Sequence, residues 1–180
     1  MAVIGCGGVG MAAVNGAYIA GAARIIAIDT NPDKLATASK LGATDSVNPN
    51  DGDPIEQVME MTHGGVHHVI ECLGFKSTVE QGFQMLGVGG VLTIVGMVPH
   101  GQKVELHGFD FLRERRVQGS SMGSNRFRTD MPRMIELYRQ GRLHLDDWIS
   151  AKIELKDIND GFKTMKDGSV IRSVIDFGVV

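Results

Sequence analysis

A chain of 180 residues with 43% hydrophobic content is long enough for one domain with a filled core, or one domain with an appendage. A formal net charge of −3 gives no nucleic-acid footprint, and two cysteines cannot supply a disulfide framework or a four-cysteine zinc site, so a reducing, cytoplasmic setting is expected. No basic region followed by a long apolar stretch opens the chain, and its best apolar run, Val91 to Val98, is far short of the ~20 residues of a spanning helix, so neither a signal peptide nor a membrane segment is expected.

The first predicted element is a strand, Ala2-Val3-Ile4, running into Gly5-Cys6-Gly7-Gly8-Val9-Gly10. This spacing reads as a dinucleotide-binding turn: Gly5 permits the tight exit from the strand, Gly7 lets a pyrophosphate approach the backbone, and Gly10 lets the next helix pack close to the sheet. Met11 to Ala20, rich in alanine and free of proline, is the expected crossover helix. Arg24 to Asp29 is a near-continuous apolar run closed by an acid, as expected of a strand buried on both faces of a parallel sheet. Asp29 is then placed to accept hydrogen bonds from an adenosine ribose and to repel a 2′-phosphate, which implies NAD rather than NADP.

Strand and helix continue to alternate. Asn31-Pro32 reads as a cap and first helical residue, with Leu35, Ala38 and Leu41 on one face and Gly42 as the stop. Asp45 to Asn48 is a short third strand. Asp53-Pro54 opens a helix with Ile55, Val58 and Met59 inward, ended by His63-Gly64-Gly65. His67 to Glu71 is a fourth strand leading into Cys72-Leu73-Gly74. Ser77-Thr78-Val79-Glu80 reads as a capping box, and Gly89-Gly90 as a turn into a fifth strand, Val91 to Val95. Beyond Met97 the pattern loosens: Lys103 to Leu106 reads as a short edge strand, Phe109 to Glu114 as a short helix and Arg116 to Ser120 as a last strand.

Consecutive strand–helix units of this kind specify a doubly wound α/β sheet, a Rossmann fold, whose ligands bind beyond the carboxyl ends of the strands. Gly5 to Gly10, Asp29, Cys72-Leu73 and Val95-Gly96-Met97 are thereby expected along one edge. Residues 1–122 form the dinucleotide-binding domain on this reading. The remainder, 123–180, fits poorly as a further Rossmann layer: Asp130-Met131-Pro132 opens an amphipathic helix with Met131, Met134, Ile135 and Tyr138 on one face, Ile158 to Met165 suggests another, and Lys152 to Leu155 and Ile171 to Phe177 alternate as strands.

Together these motifs resemble the coenzyme domain of zinc-dependent, medium-chain alcohol dehydrogenases. The resemblance is carried by Val3 to Gly10, Ala27 to Lys34, Leu41-Gly42-Ala43-Thr44, Glu71-Cys72-Leu73-Gly74, Val95-Gly96, Ile158 to Phe162 and Ile171 to Ile175, in order along nearly the whole chain. The doubled Gly7-Gly8 with Val9, the Asp29 to Lys34 spacing and Ile171-Arg172 point to the liver-type, glutathione-dependent and related bacterial branches. The resemblance implies that Gly7, Gly8 and Val9 lie against pyrophosphate and nicotinamide, and that Asp29 and Lys34 hold the ribose. It implies further that Leu73 packs near the adenosine, that the backbones of Val95, Met97 and Met122 orient the carboxamide, and that Arg172 reaches a phosphate oxygen. In that family a zinc binds the alcohol oxygen while hydride passes to the nicotinamide of NAD. Its zinc ligands and proton relay lie upstream of the glycine turn, where only Met1 to Ile4 stand here, so no catalytic residue and no metal ligand is expected within this chain. The segment 123–180 corresponds to the part that returns to the catalytic domain, and without that partner it should expose apolar surface.

The histidines do not alter this. His67 and His68 are strand neighbours that point to opposite faces, and His63, His100, His107 and His144 are scattered over expected loops and edges. The basic run Arg113, Arg115 and Arg116 is interrupted by Glu114 and lacks interleaved aromatics, so it reads as a solvated face. A strand edge at Lys103 to Leu106 suggests a homodimer seam. Two functions are open at this point: the NAD-binding portion of an alcohol dehydrogenase acting on a primary alcohol or thiol–aldehyde adduct, or a free-standing NAD-binding module without catalysis. The Ile171-Arg172 segment favours the first.

Overall fold

Strand β1 (Ala2–Ile4) is wholly buried and begins a series of alternating elements in the computed structural model of the chain, which describes residues 1–178. Helix α1 (Gly8–Ile19) follows, then β2 (Ile26–Ile28), α2 (Pro32–Lys40), β3 (Asp45–Val47), α3 (Pro54–Thr62), β4 (Val66–Glu71), α4 (Lys76–Gln84), β5 (Leu86–Ile94) and β6 (Arg116–Gly119). The six strands form one parallel sheet in the order β3-β2-β1-β4-β5-β6. Chain order reverses between β1 and β4, which opens a crevice beyond the carboxyl ends of those two strands. The doubly wound α/β fold expected from the sequence is therefore present.

Side chains alternate across β1, so Val3 joins one core layer and Ile4 the other. Ile4, Ile28, Val58, Val69, Val79, Phe83 and Leu92 pack with α3 and α4; Val3, Met11, Val14, Ala27 and Leu41 pack with α1 and α2. Each such side chain, fully buried, contributes roughly 1.5–3 kcal/mol, so the two layers dominate stability. The proline-headed helices start where expected: Asn31 accepts from the Asp33 amide at 2.9 Å and Asp53 from the Ile55 amide at 2.8 Å. His63 closes α3 in the left-handed region at φ 53°.

Four expectations are corrected. Lys103–Leu106 is not a strand, because the Glu105 amide is taken by the Glu80 carboxylate and Val104 and Leu106 turn onto the core; the edge of the sheet on that side, beyond β5, is β6. Ser77 does not cap α4, which starts at Lys76 with Phe75 as its cap residue; Glu80 instead pairs with Lys76 and the Glu105 amide. Gly89-Gly90 lies inside β5, whose pairing with β4 shifts register between Val66 and His68. Helix α5 (Phe127–Arg139) begins three residues before Asp130 and runs through Pro132.

The tail continues as β7 (Ala151–Ile153), α6 (Ile158–Lys166) and β8 (Ser173–Ile175), with β7 and β8 paired parallel. It is fastened to the sheet unit by buried Asn15 of α1, whose amide donates to the Arg142 carbonyl at 3.3 Å and accepts from the His144 amide at 3.0 Å. Trp148, only 3% exposed, enters the α1–α2 core layer.

Candidate functional site

The glycine turn joins β1 to α1 through a set of close main-chain contacts. Gly5, at φ +87°, donates its amide to the Ile28 carbonyl at 2.8 Å. A Cβ built on Gly10 would stand 1.7 Å from the Gly5 carbonyl oxygen, so no other residue fits there. Gly7 is the cap residue of α1 and offers no side chain to its first turn. The amides of Gly8, Val9 and Gly10 precede the first helical bond, which runs from the Met11 amide to the Gly7 carbonyl at 2.8 Å. A Cβ on Gly7 would meet no atom within 4 Å. Amides without an intrahelical partner thus stand at the positive end of a helix dipole, with open space at Gly7, an arrangement suited to an anion.

Asp29 ends β2 beside this turn. Its Oδ2 accepts from the Cys6 amide at 2.7 Å and its Oδ1 from the Asn31 amide at 2.9 Å. The carboxylate therefore fixes the turn as well as facing the crevice, and each oxygen retains a further lone pair. Next to it a cavity of ~360 Å³, within the range of small-ligand pockets, is lined by Asp29, Thr30, Lys34, Leu73, Phe75 and Gln81 among others. Asp29, Lys34 and Leu73 are brought together as the sequence suggested.

The other wall is organised by Glu71, wholly buried at the end of β4. Its Oε1 accepts from the Leu73 amide at 2.9 Å, the Gly74 amide at 2.8 Å and the Thr78 hydroxyl at 2.8 Å. Its carbonyl accepts from the Val95 and Gly96 amides at 2.9 and 3.0 Å, while the Cys72 amide donates to the Ile4 carbonyl at 2.9 Å. A Cβ on Gly96 would fall 2.1 Å from the Gly74 nitrogen, so the loops after β4 and β5 touch backbone to backbone. Val9 and Met97 leave their side chains more than half exposed at the mouth, and Leu73 is 44% exposed beside them. Met122 follows β6 at the same edge, in a turn where Met122, Gly123 and Ser124 all have positive φ.

Arg172 comes from the far end of the chain, just before β8. Its guanidinium lies 3.3 Å from where a Gly8 Cβ would be, over the amide end of α1.

A family model described as zinc-binding dehydrogenase matches residues 8–140. The chain belongs to the zinc-binding dehydrogenase family. It is 42% identical over 180 residues to an S-(hydroxymethyl)glutathione dehydrogenase of Synechocystis, covering 98% of this chain and 49% of that protein. The crystal structure of an alcohol dehydrogenase zinc-binding domain protein from Burkholderia ambifaria superposes with a TM-score of 0.94 at 32% identity, over 99% of this chain and 48% of that one. A putative zinc-binding dehydrogenase from Sinorhizobium meliloti, solved bound to NADP, matches at 36% identity and a TM-score of 0.82, over 88% of this chain and 46% of that one. The chain spans about half the length of the curated relatives it matches, the half that holds the family's dinucleotide-binding part.

Within this member of the family, burial pushes the Cys6 thiol up to about 12, helped by the neighbouring charge of Asp29, and burial likewise pushes Cys72 up to about 12. Neither is a thiolate near neutral pH, the form that attacks or ligates. His67 and His68 are both exposed on β4. Among the described residues no three His, Cys, Asp or Glu side chains gather where one ion could be held. Nor is any helix among them long and apolar enough to cross a membrane.

Sequence reasoning missed Glu71 as the organiser of the loops, and Asn15 and Trp148 as the anchors of the tail. Glu71 had a signal: an acid directly after the apolar pair Val69-Ile70 at the end of a strand, once buried, must find donors, and the glycine and threonine that follow supply them.

Proposed function

We propose that this chain is the NAD(H)-binding part of a zinc-dependent alcohol dehydrogenase, in which hydride passes between a primary alcohol or a thiol–aldehyde adduct and NAD. The reading is carried by Gly7: open space above an uncapped helix start, with a guanidinium beside it that makes no ion pair among the described residues, is the shape and charge a diphosphate requires. NAD, when bound, supplies the hydride acceptor.

On this reading Gly5 and Gly10 keep the turn closed, Gly7 and Gly8 admit the diphosphate, and Arg172 pairs with its oxygens. Asp29 and Lys34 hold the adenosine ribose, with Leu73 against the base and Cys72 supporting that wall. Val9 backs the nicotinamide, whose carboxamide is oriented by the main chain of Val95, Met97 and Met122; the tight fit at Gly96 supports a fixed path for that loop. Residues 1–122 make up the binding domain, and 123–180 serve a catalytic portion that also carries the zinc and its ligands. By itself the chain is expected to bind coenzyme without oxidising alcohols. A cytoplasmic setting and a homo-oligomer are part of the proposal, with β6 rather than Lys103–Leu106 as the edge available for pairing.

The experiment is calorimetric titration with NADH and with NADPH. Asp29 offers negative charge where a 2′-phosphate would lie, so NADH is expected to bind more tightly. Tighter NADPH binding would remove the ribose role from Asp29, which a relative solved with NADP makes a pointed test.

A further inference from the structure

Arg172 lies beside the amide end of α1, and a guanidinium there is repelled by the helix dipole when no anion lies between. None of the ion pairs among the described residues involves it. What holds it is the ring of Trp148, whose centroid is 5.7 Å from the guanidinium carbon. Trp148 is itself fixed, 3% exposed in the core layer that contains Val3, Met11 and Val14. Its indole N–H is buried without a hydrogen-bond partner, an arrangement that disfavours tryptophan over a plain hydrocarbon ring. The ring face is the part of this side chain in use. Ser150 sets the register of the pair: its amide donates to the Arg172 carbonyl at 2.8 Å and its hydroxyl accepts from the Ile171 amide at 2.9 Å.

We propose that Trp148 is a positioning residue of the diphosphate site, a buried aromatic platform that aims Arg172 across the start of α1. The inference rests on the dinucleotide reading above. It makes the tail part of the site: α1 supplies the amides, and the segment 148–172 supplies the cation. A tryptophan face attracts a guanidinium through its quadrupole and leaves the N–H groups at the guanidinium edge free to reach phosphate oxygens.

Titration of the full chain with NADH tests this. Trp148→Leu is expected to weaken binding about fivefold, the size of one cation–π contact, while Trp148→Phe, which keeps a ring face, stays within about twofold of native. In an Arg172→Met background Trp148→Leu should cost nothing further, because the two losses act through one group. Equal losses from Trp148→Leu in both backgrounds, or native affinity in Trp148→Leu, overturns the proposal. The chain has a single tryptophan, which gives a readout without substitution at 148: Arg172→Met must change its emission in the unliganded protein, and an unchanged spectrum also overturns the proposal. A native chain that binds no NADH sinks the dinucleotide reading instead.

Discussion

Helices α4 and α5 carry the same kind of amphipathic pattern and meet opposite fates. In α4, Val79 and Phe83 are at most 1% exposed, because β4 and β5 place Val69 and Leu92 beneath them. In α5, Met131, Met134 and Ile135 are 53%, 47% and 58% exposed. Trp148 is the one buried apolar side chain after Leu92 among the described residues. Periodicity thus specifies a face, and the partner for that face is a separate fact. In the sheet unit the partner lies within the chain. The tail shows an apolar surface of the sort that marks an interaction site.

The contrast can be broken by substitution, starting where the sheet unit is least forgiving. Gly10→Ala brings a Cβ to 1.7 Å from a backbone oxygen, which no rotamer can relieve, so α1 must leave β1; a loss beyond about 4 kcal/mol in urea unfolding is expected. Phe83→Ala should cost about 3–4 kcal/mol as a core cavity, whereas Met134→Ser should stay within about 0.5 kcal/mol. If Met134→Ser cost as much as Phe83→Ala, α5 would be packed in solution and the contrast between the regions would fail. Gly7→Val separates binding from folding: with φ −77° and nothing within 4 Å, valine is tolerated, so the melting temperature should be native. NADH affinity should fall by about 100-fold, or ~2.7 kcal/mol, because the side chain fills the space above the first amides of α1. Native affinity in that variant would show the turn to be structural only.

The sheet unit was legible because its signals are local. Buried parallel strands read as short apolar runs such as Ile25 to Ile28, Asn31-Pro32 and Asp53-Pro54 mark helix starts by hydrogen bonding two residues on, and the glycine spacing follows from a contact between Gly5 and Gly10 five residues apart. The failures were non-local. The spacing of Ser77 and Glu80 predicts a capping box, but the partners of Glu80 are Lys76 and the amide of Glu105, and that second bond is what denies Lys103–Leu106 to a ladder. In the site, Asp29 and Lys34 could be found from spacing. Glu71 joins loops more than twenty residues apart, and Trp148 acts on a residue 24 positions downstream; no short-range pattern announces either.

Surface electrostatics extends the comparison to its smallest effect. In the sheet unit Arg24 grips Asp45 with two bonds, Nε to Oδ2 at 2.8 Å and a terminal nitrogen to Oδ1 at 2.6 Å, and Thr44 adds a hydroxyl bond at 2.7 Å. The guanidinium contact above all, with Thr44 assisting, holds Asp45 at about 2 against an ordinary 3.8. A carboxyl with a depressed folded value contributes above its unfolded value and loses that contribution as pH falls through the folded one. The window is therefore pH 4 to 2, and because Arg24 is 44% exposed, solvent screening keeps the contribution below about 1 kcal/mol. Asp45→Asn should flatten the acid limb of the urea midpoint across that window and leave no pH dependence of its own. In the tail Lys163 also pairs with Asp160 and lowers its value, but both side chains are about three-quarters exposed and only one bond is made. Asp160→Asn should change the acid limb less than Asp45→Asn. The reverse order would mean that the tail pair is shielded from water in solution, which its exposed position in the isolated chain does not allow.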